Sequence, residues 1–379
     1  MTTQIEGDIE LEKVELSNFN GSKTFDLIPL MREINIYENI LHPTNTATIN
    51  IRDAIDLHST FPINGEEIIT IEFRTPGTEE LTTYKFSVVN TSNMTFSGTR
   101  KSKSYTINCV SEELLPGISK QINATYNDNI SNIISNIMTN ELQTDKPLFV
   151  EDTKGAQQIV LTDKNPFVII DMLRHRAVSR KYVSSSFCFF ENQRGFHFST
   201  IEGLFDLNKD KIGDKRFFYD ITQSKSTDRT NIRSIIALDY VGIKDNLQQI
   251  GLGGIFNQVN TIDLITGAYN SVDYKIEDYK EQFKYATESI GFNTNEFEQL
   301  YSNNPAITQF HSVDTSIPGT FIEDKLGPLQ LYVSQLIQNL LHIYVYGDSA
   351  MTVGDVIEVN TPKIVTGKHI TVTDQVYLQ

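Results

Sequence analysis

The first 115 or so residues contain a series of short segments in which apolar and polar residues alternate. Because successive side chains of a β-strand point to opposite faces, this two-residue period predicts strands with one buried face. The segments are REINIYEN, TATINIRD, EEIITIEFRTPG, YKFSVV and KSYTINCVSEE. Gly, Pro and Asn residues, which are typical of turns, separate them. We therefore predict a small antiparallel β-barrel or sandwich in this region, with Cys109 in its core.

The apolar residues that follow recur with the period of a helix. The first such set is Ile130, Ile133, Ile134, Ile137 and Met138. Asn127 or Asp128 is positioned to cap this helix. A second helix is expected to begin at Asn165 as N-cap, with Pro166 in its first turn. Residues 116–205 are therefore predicted to form a compact α+β module.

The segment SSSFCFFENQRGFHFST (184–200) is predicted to be a β-hairpin that contains Cys188 and His197. A three-residue loop at 192–194 would place Cys188 beside Phe196 and Phe198 and turn His197 to the other face. A loop one residue longer would bring the cysteine and the histidine to one face. A reactive cysteine needs an electropositive, partly exposed setting, whereas this one lies among phenylalanines. We therefore interpret the pair as packing, and a cysteine hydrolase that uses these two residues is the weaker alternative.

The glycine-rich segment GLGG does not have the context of a phosphate-binding loop. Gly251, Gly253 and Gly254 would need a preceding strand, a following helix and a third correctly spaced glycine. Phe256 occupies that third position, and the residues after it have the pattern of a strand. The glycines are therefore expected in turns or bulges.

Turn chemistry also explains a short pattern that occurs twice in the sequence, which we call the internal echo. GEEIITI (65–71) and GDVIEV (354–359) both place a glycine and an acid before an alternating strand. We assign structural turn roles to Gly65, Gly195, Gly347, Gly354 and Asp355. No catalytic, cofactor-binding or metal site is predicted, because the histidines are scattered and show no close-spaced ligand set.

Two further regions are predicted in the C-terminal half. The polar, Asn-rich residues 271–324 are expected to be an insertion with one helix at DYKEQFKYATES. A later helix is expected to carry its apolar side on Leu329, Val333, Leu336, Ile337 and Leu340.

The net charge and the cysteine content exclude several classes of protein. The formal net charge of −16 argues against a nucleic-acid-binding surface, since phosphate contacts need clustered Lys and Arg. Two cysteines cannot form a disulfide framework, which fits a reducing cytoplasm. No signal peptide and no apolar run long enough for a membrane helix is evident. We expect a soluble intracellular protein.

Several segments, taken in order, carry a family resemblance. They are FPINGEEIITIEFRTPG, KSYTINCVSEELL, DKNPFVIIDMLRHRA with the aromatic hairpin, GGIFNQVNTIDLITGAY and VYGDSAMTVGDVIEVNTP. Together they resemble the central baseplate hub protein of contractile-tailed phages, and more distantly the hub part of the valine-glycine-repeat spike proteins of type VI secretion. The resemblance implies an α+β, mainly β fold with two small tail-tube-like antiparallel β-barrels and a peripheral α+β region. The first barrel would be residues 1–120, the peripheral region 121–231 and 265–322, and the second barrel 232–264 and 323–379.

The same resemblance implies a structural, non-enzymatic role in the virion, at the tail baseplate, for a protein that is made in the cytoplasm of the bacterial host. A homotrimer would form a pseudo-hexameric ring that adapts the six-fold tail tube to the three-fold central spike and leaves a channel for DNA. The implied partners are the tail-tube ring, the spike trimer and surrounding wedge proteins, with DNA only passing through the lumen and no cofactor. A receptor- or carbohydrate-binding tail β protein is the alternative.

Two expectations follow from the ring. In related proteins another strand follows one like VYLQ, so either another chain covers the edge of the second barrel or the sequence continues beyond Gln379. The acidic excess either lines the lumen, where it repels DNA phosphates, or is spread over the surface for solubility. The trimer interface is expected to be of the obligate type, above roughly 2,000 Å² in total.

Overall fold

The computed structural model describes residues 9–76, 81–98, 102–208, 215–219, 233–243, 245–279, 281–283, 303–313, 321–337, 339–363 and 371–378. We divide the description into a first sheet (β1–β7), a central module (α2–α5) and a C-terminal region (β13–β20). Most of the helix expected at DYKEQFKYATES lies outside the described residues.

The first sheet is antiparallel and has seven strands. In chain order its elements are β1 (Glu10–Ser17), β2 (Thr24–Asp26), β3 (Met31–Tyr37), β4 (Thr46–Asp53), α1 (Leu57–Thr60), β5 (Ile68–Arg74), β6 (Thr82–Phe96) and β7 (Lys103–Ser111). The spatial order is β2-β1-β5-β6-β7-β4-β3. Each of the five alternating segments forms a strand, and two strands, β1 and β2, were not predicted.

Alternation places one face of this sheet in a common core. Ile49 and Ile51 of β4 pack there with Ile69 and Ile71 of β5 and with Cys109 of β7. Every second side chain of β4 and β7 is buried, so the predicted faces of these two strands are confirmed. The sheet has the form of a half-barrel, and each of its edge strands, β2 and β3, pairs with one neighbour among the described strands. The mainly β class is thus confirmed in its coarse form.

The central module packs helices against two small sheets. Its elements are α2 (Leu114–Ser119), β8 (Ile122–Asn129), α3 (Ile130–Asn136), a π-helix that continues α3 (Ile137–Leu142), β9 (Leu148–Val150), β10 (Ala156–Lys164), α4 (Pro166–Arg176), β11 (Phe187–Asn192), β12 (Gly195–Thr200) and α5 (Ile201–Asn208). The predicted apolar residues of α3 and the π-helix are buried in one core with four of the five phenylalanines of β11 and β12.

The predicted N-terminal cap is confirmed for one of the two helices and is wrong for the other. Asn165 caps α4, since its Oδ1 accepts a hydrogen bond of 2.9 Å from the Val168 N–H. The expected cap of α3 is wrong: Asn127 and Asp128 belong to strand β8, which runs directly into the helix at Asn129. Pairing of β8 with β10 keeps these residues extended.

The C-terminal region contains three small sheets. Its elements are β13 (Arg216–Phe218), β14 (Ile235–Ile243), α6 (Asn246–Gly251), β15 (Phe256–Asp263), β16 (Tyr269–Lys275), α7 (Ile276–Tyr279), β17 (Ile307–Val313), α8 (Ile322–Leu336), β18 (Asn339–Val345), β19 (Val356–Lys363) and β20 (Thr371–Leu378). The sheets are β13-β19-β20, β14-β18 and β16-β15-β17. In the third sheet, β15 pairs with both β16 and β17. The first two sheets share one apolar core.

The predicted apolar face of α8 is wrong. Val333 is exposed, whereas Leu331, Ser334 and Gln335 are buried. The polar side chains are tolerated inside because they are bonded: the Gln335 Nε2 donates to the Gly254 carbonyl at 3.1 Å. A pattern that counts every polar residue as outward-facing therefore selects the opposite side of this helix.

Candidate functional site

The β11–β12 hairpin occupies the place where the three parts of the chain meet. Its register pairs Phe190 with His197 and Cys188 with Ser199. The loop between the strands therefore has two residues, Gln193 and Arg194, and the expected three-residue loop is wrong by one. As a result Cys188 and His197 are on the same face of the hairpin, not on opposite faces.

The four other phenylalanines of the hairpin point to the opposite face. Phe187, Phe189, Phe196 and Phe198 lie in the core of the central module. Cys188 and Phe190 pack instead with Leu204 of α5 and Val353 of the loop before β19. The hairpin thus has two buried faces and joins two cores.

Sharing a face does not make Cys188 and His197 a catalytic pair. Burial raises the pKa of the Cys188 thiol to about 11, and its Sγ donates to the Ser186 carbonyl at 3.8 Å. Burial also lowers the pKa of His197 to about 4, with a further contribution from the Arg194 charge. A nucleophilic cysteine requires a lowered pKa, and a general base requires one near neutrality. Both shifts run against a cysteine hydrolase.

His197 has a packing role. Its ring stacks between Phe149 and Phe190, with centroid distances of 4.7 and 5.1 Å. One ring nitrogen, Nε2, lies 3.1 Å from Asn192 Oδ1. The ring is therefore held by two aromatic faces and one hydrogen bond, as the packing interpretation predicts.

The loop of the hairpin is clamped to residues 352–355, which precede β19. Arg194 Nη1 and Nη2 donate to the two carboxylate oxygens of Asp355 at 2.9 and 3.2 Å. Lys215 pairs with the same carboxylate. The side chain of Asp355 is fully buried, and these two cations and the Thr352 N–H offset the cost of burying a carboxylate. We call the contact between the hairpin loop and residues 352–355, together with Lys215, the hairpin junction.

Glu38, just after β3, extends the hairpin junction to the first sheet. One of its oxygens accepts from the Thr352 hydroxyl at 2.6 Å and from the Val353 N–H at 2.9 Å. The other accepts from the Tyr84 hydroxyl at 2.9 Å. Burial, followed by the nearby Glu38 charge, raises the pKa of Tyr84 and keeps this hydroxyl a donor. The first sheet and the segment that leads into β19 are therefore bonded through one carboxylate.

A second polar contact joins the first sheet to the central module. The Lys146 Nζ lies 2.7 Å from Glu113 and 2.6 Å from Glu191. Glu191 also accepts from the Asn45 N–H at 3.0 Å and the Ser111 hydroxyl at 3.0 Å. Burial would lower the pKa of Lys146, but the two carboxylates raise it overall. One ammonium thus holds two buried carboxylates from different elements.

The four glycines among the assigned turn residues fall into two groups by the sign of φ. Gly65, Gly195 and Gly354 have φ values of +91°, +134° and +89°, a region that favours glycine. Gly347 lies in the loop after β18 and is not among the residues with positive φ. Gly65 and Gly354, the two glycines of the internal echo, thus have nearly the same φ before their strands.

Other candidate chemistries can be compared with the geometry. The glycine-rich segment runs from helix α6 to strand β15, the reverse of the strand-to-helix order of a dinucleotide-binding loop. Among the described residues, no group of three or more His, Cys, Asp or Glu side chains is placed to hold a metal ion. Within the same ranges, no helix is both long and apolar enough to cross a membrane.

Comparison with known proteins gives the fold. Neither a protein-family model nor a curated protein sequence matches the chain. The 43 kDa tail protein of prophage MuSo2 from Shewanella oneidensis matches with a TM-score of 0.50 and 10% identity, over 92% of this chain and 88% of that one. The chain has the fold of a phage tail protein.

Two other solved structures have similar coverage. The tail protein from Neisseria meningitidis MC58 matches with a TM-score of 0.49 and 10% identity, over 92% of this chain and 86% of that one. Prophage tail protein gp18 from Listeria monocytogenes EGD-e matches with a TM-score of 0.47 and 10% identity, over 92% and 85%. Both are tail proteins.

Proposed function

We propose that this tail protein is the central hub of a phage baseplate. Three chains form a pseudo-hexameric ring that joins a six-fold tail tube to a three-fold spike and leaves a channel for DNA. The likeness to the MuSo2 tail protein over 92% of the chain is the observation that carries the tail role. The ring and its partners come from the sequence resemblance and are part of the proposal.

A pseudo-hexamer requires that each chain present two similar β units in a fixed relation. We assign the first barrel to residues 1–120 and the second to 232–264 with 323–379, and place 121–231 and 265–322 outside the ring. The half-barrel of β1–β7 and the shared core of β13-β19-β20 with β14-β18 support two β units. Glu38 supports a fixed relation, because its carboxylate bonds the first unit to Thr352 and Val353 of the second.

The five assigned turn residues have a place in this arrangement. Gly354 and Asp355 set the path into β19 and the contact with the hairpin, and Gly65 sets the path into β5. Gly195 closes the hairpin, and Gly347 lets the chain leave β18. We propose that they act on structure alone, with no catalytic part.

The mass of the purified protein tests the ring. Light scattering and sedimentation at micromolar concentration are expected to give three times the 43.0 kDa of one chain. Electron micrographs are expected to show a three-fold ring with an axial hole. The proposal of a baseplate hub is wrong if the protein stays monomeric both by itself and when mixed with the tail-tube and spike proteins of the same phage. A receptor- or carbohydrate-binding tail protein is then preferred.

The proposed channel has its own test. If acidic side chains line it, phosphates are repelled and DNA passes without adhering. Fluorescence anisotropy of a labelled duplex is therefore expected to show no binding to the assembled ring at low salt. Binding that weakens steeply with added salt would indicate a basic lumen and would contradict this part of the proposal.

A further inference from the structure

A groove of about 700 Å³ separates the first sheet from the central module. One wall is the turn that leads into β5, with Gly65, Glu66 and Ile68. The other wall is α2 together with residues 142–145, at the end of the π-helix and just after it. We call this cleft the α2 groove.

Apolar side chains line the α2 groove and are open to solvent. Phe19, in the loop between β1 and β2, has 74% of its surface exposed, and Leu115 of α2 is also exposed. Ile68 and Leu142 are half-buried beside them. Exposed apolar surface within a concave site is typical of binding sites.

Carboxylates surround this apolar surface. Glu66, Glu112 and Asp145 line the groove, and within the described part of the chain none of the three forms an ion pair. Glu113 differs because Lys146 neutralises it. No Lys or Arg is among the described residues that line the groove. The α2 groove therefore combines an apolar floor with three carboxylates that have no ion-pair partner among the described residues.

We propose that the α2 groove binds a segment of a partner protein that presents lysine or arginine within an apolar stretch. The long stems of these side chains pack on apolar surface while their charged ends reach carboxylates. A second copy of this chain fits less well, because its net charge of −16 would add negative charge. The proposal does not depend on the hub ring, so the mass measurement above and the binding test below can fail separately.

Calorimetric titration with a synthetic peptide tests the groove. The probe is acetyl-Leu-Arg-Leu-Lys-Leu-amide, and a matched peptide with glycine in place of each leucine has the same charge. The wild-type protein is expected to bind the leucine peptide at low salt, at least about five-fold more tightly than the glycine peptide. Equal affinity for the two peptides would show charge attraction without docking and would overturn the proposal.

Variants locate the binding. Glu66→Gln with Asp145→Asn is expected to weaken it about ten-fold, since two exposed ion pairs are lost. The control Glu277→Gln with Asp278→Asn removes the same charge from exposed residues of α7 and is expected to leave the affinity unchanged. No binding by the wild type, or equal loss in the two double variants, would show that the groove is not the site.

A third variant tests the apolar floor without changing charge. Ser119→Phe places a ring at an exposed position that lines the groove. It is expected to reduce affinity at least about five-fold by filling the space, with the thermal unfolding midpoint unchanged. Undiminished binding by this folded variant would place the peptide elsewhere and overturn the proposal.

Discussion

Arg194 and Asp355 lie 161 positions apart in the chain and form a two-point ion pair in which both guanidinium Nη atoms donate to the carboxylate. The arginine extends from the two-residue loop of a hairpin, and the aspartate ends the turn before β19. This contact joins the central module to the C-terminal region. Its partner network, through Thr352 and Glu38, continues to the first sheet.

Arg194→Met is expected to lower the free energy of unfolding by about 2 kcal/mol, because a buried carboxylate loses one of its two cations. This loss of stability is smaller than for a fully buried ion pair, because Arg194 is partly exposed and Lys215 still pairs with Asp355 in the variant. Urea unfolding measures it. Arg32→Met, which removes an exposed arginine, is the control and is expected to change stability by less than about 0.5 kcal/mol. Equal stability of the two variants would contradict a structural role for the pair.

Glu202 gives the stability a pH dependence. Burial raises its pKa to about 7, hydrogen bonds from Ser184 lower it in part, and the charges of Glu151 and Asp206 raise it further. The unfolded value is 4.5, so between pH 4.5 and 7 the folded state binds a proton that the unfolded state has released. Stability from this group therefore falls as the pH rises through that window, by up to about 3 kcal/mol.

Glu202→Gln tests this sign. The variant is expected to lose the fall between pH 5 and pH 8, and to be more stable than the wild type at pH 8. Urea unfolding at several pH values measures both effects. Parallel pH profiles for the two proteins would show that Glu202 titrates normally in the folded state.

The two thiols are expected to be unreactive in the native protein. Cys109 and Cys188 are both buried, and burial raises their pKa values to about 12 and about 11. Because the thiolate is the reactive form, a thiol reagent should label them only when the chain unfolds. Absorbance on reaction with an aromatic disulfide, in buffer and in denaturant, measures this. Rapid labelling of Cys188 in buffer, absent in Cys188→Ala, would revive the cysteine hydrolase.

Local patterns in the sequence predicted the local structure. Alternation gave the buried face of β4 through Ile49 and Ile51, and the helical period gave the buried face of α3. Asn165 and Pro166 marked the start of α4, because a cap involves only neighbouring residues. These predictions hold because the interactions that decide them are short-range.

Contacts between distant residues were not predictable in this way. Arg194 lies in the two-residue loop of the hairpin, and its side chain is held by a partner far along the chain. Lys325 is a similar case: it is buried, and its Nζ donates at 2.9 Å to the carbonyls of Arg174 and Ala177 at the end of α4. Burial, then the Arg174 charge, lowers its pKa to about 8. In the sequence it is one lysine among many, without a signal that it lies inside.

Gly195 is expected to tolerate no side chain. Its φ of +134° is in a region that residues with a Cβ rarely adopt, and an added Cβ would lie 2.2 Å from the Pro147 carbonyl oxygen. Gly267 has a φ of +69°, and nothing lies within 4 Å of an added Cβ. Its substitution therefore measures only the free energy that a side chain costs at positive φ. We expect Gly267→Ala to destabilise by about 1 kcal/mol and Gly195→Ala by at least about 3 kcal/mol, because the Pro147 backbone must also move. Chemical unfolding of both variants measures the difference, and equal costs would mean that the hairpin and the Pro147 segment separate easily.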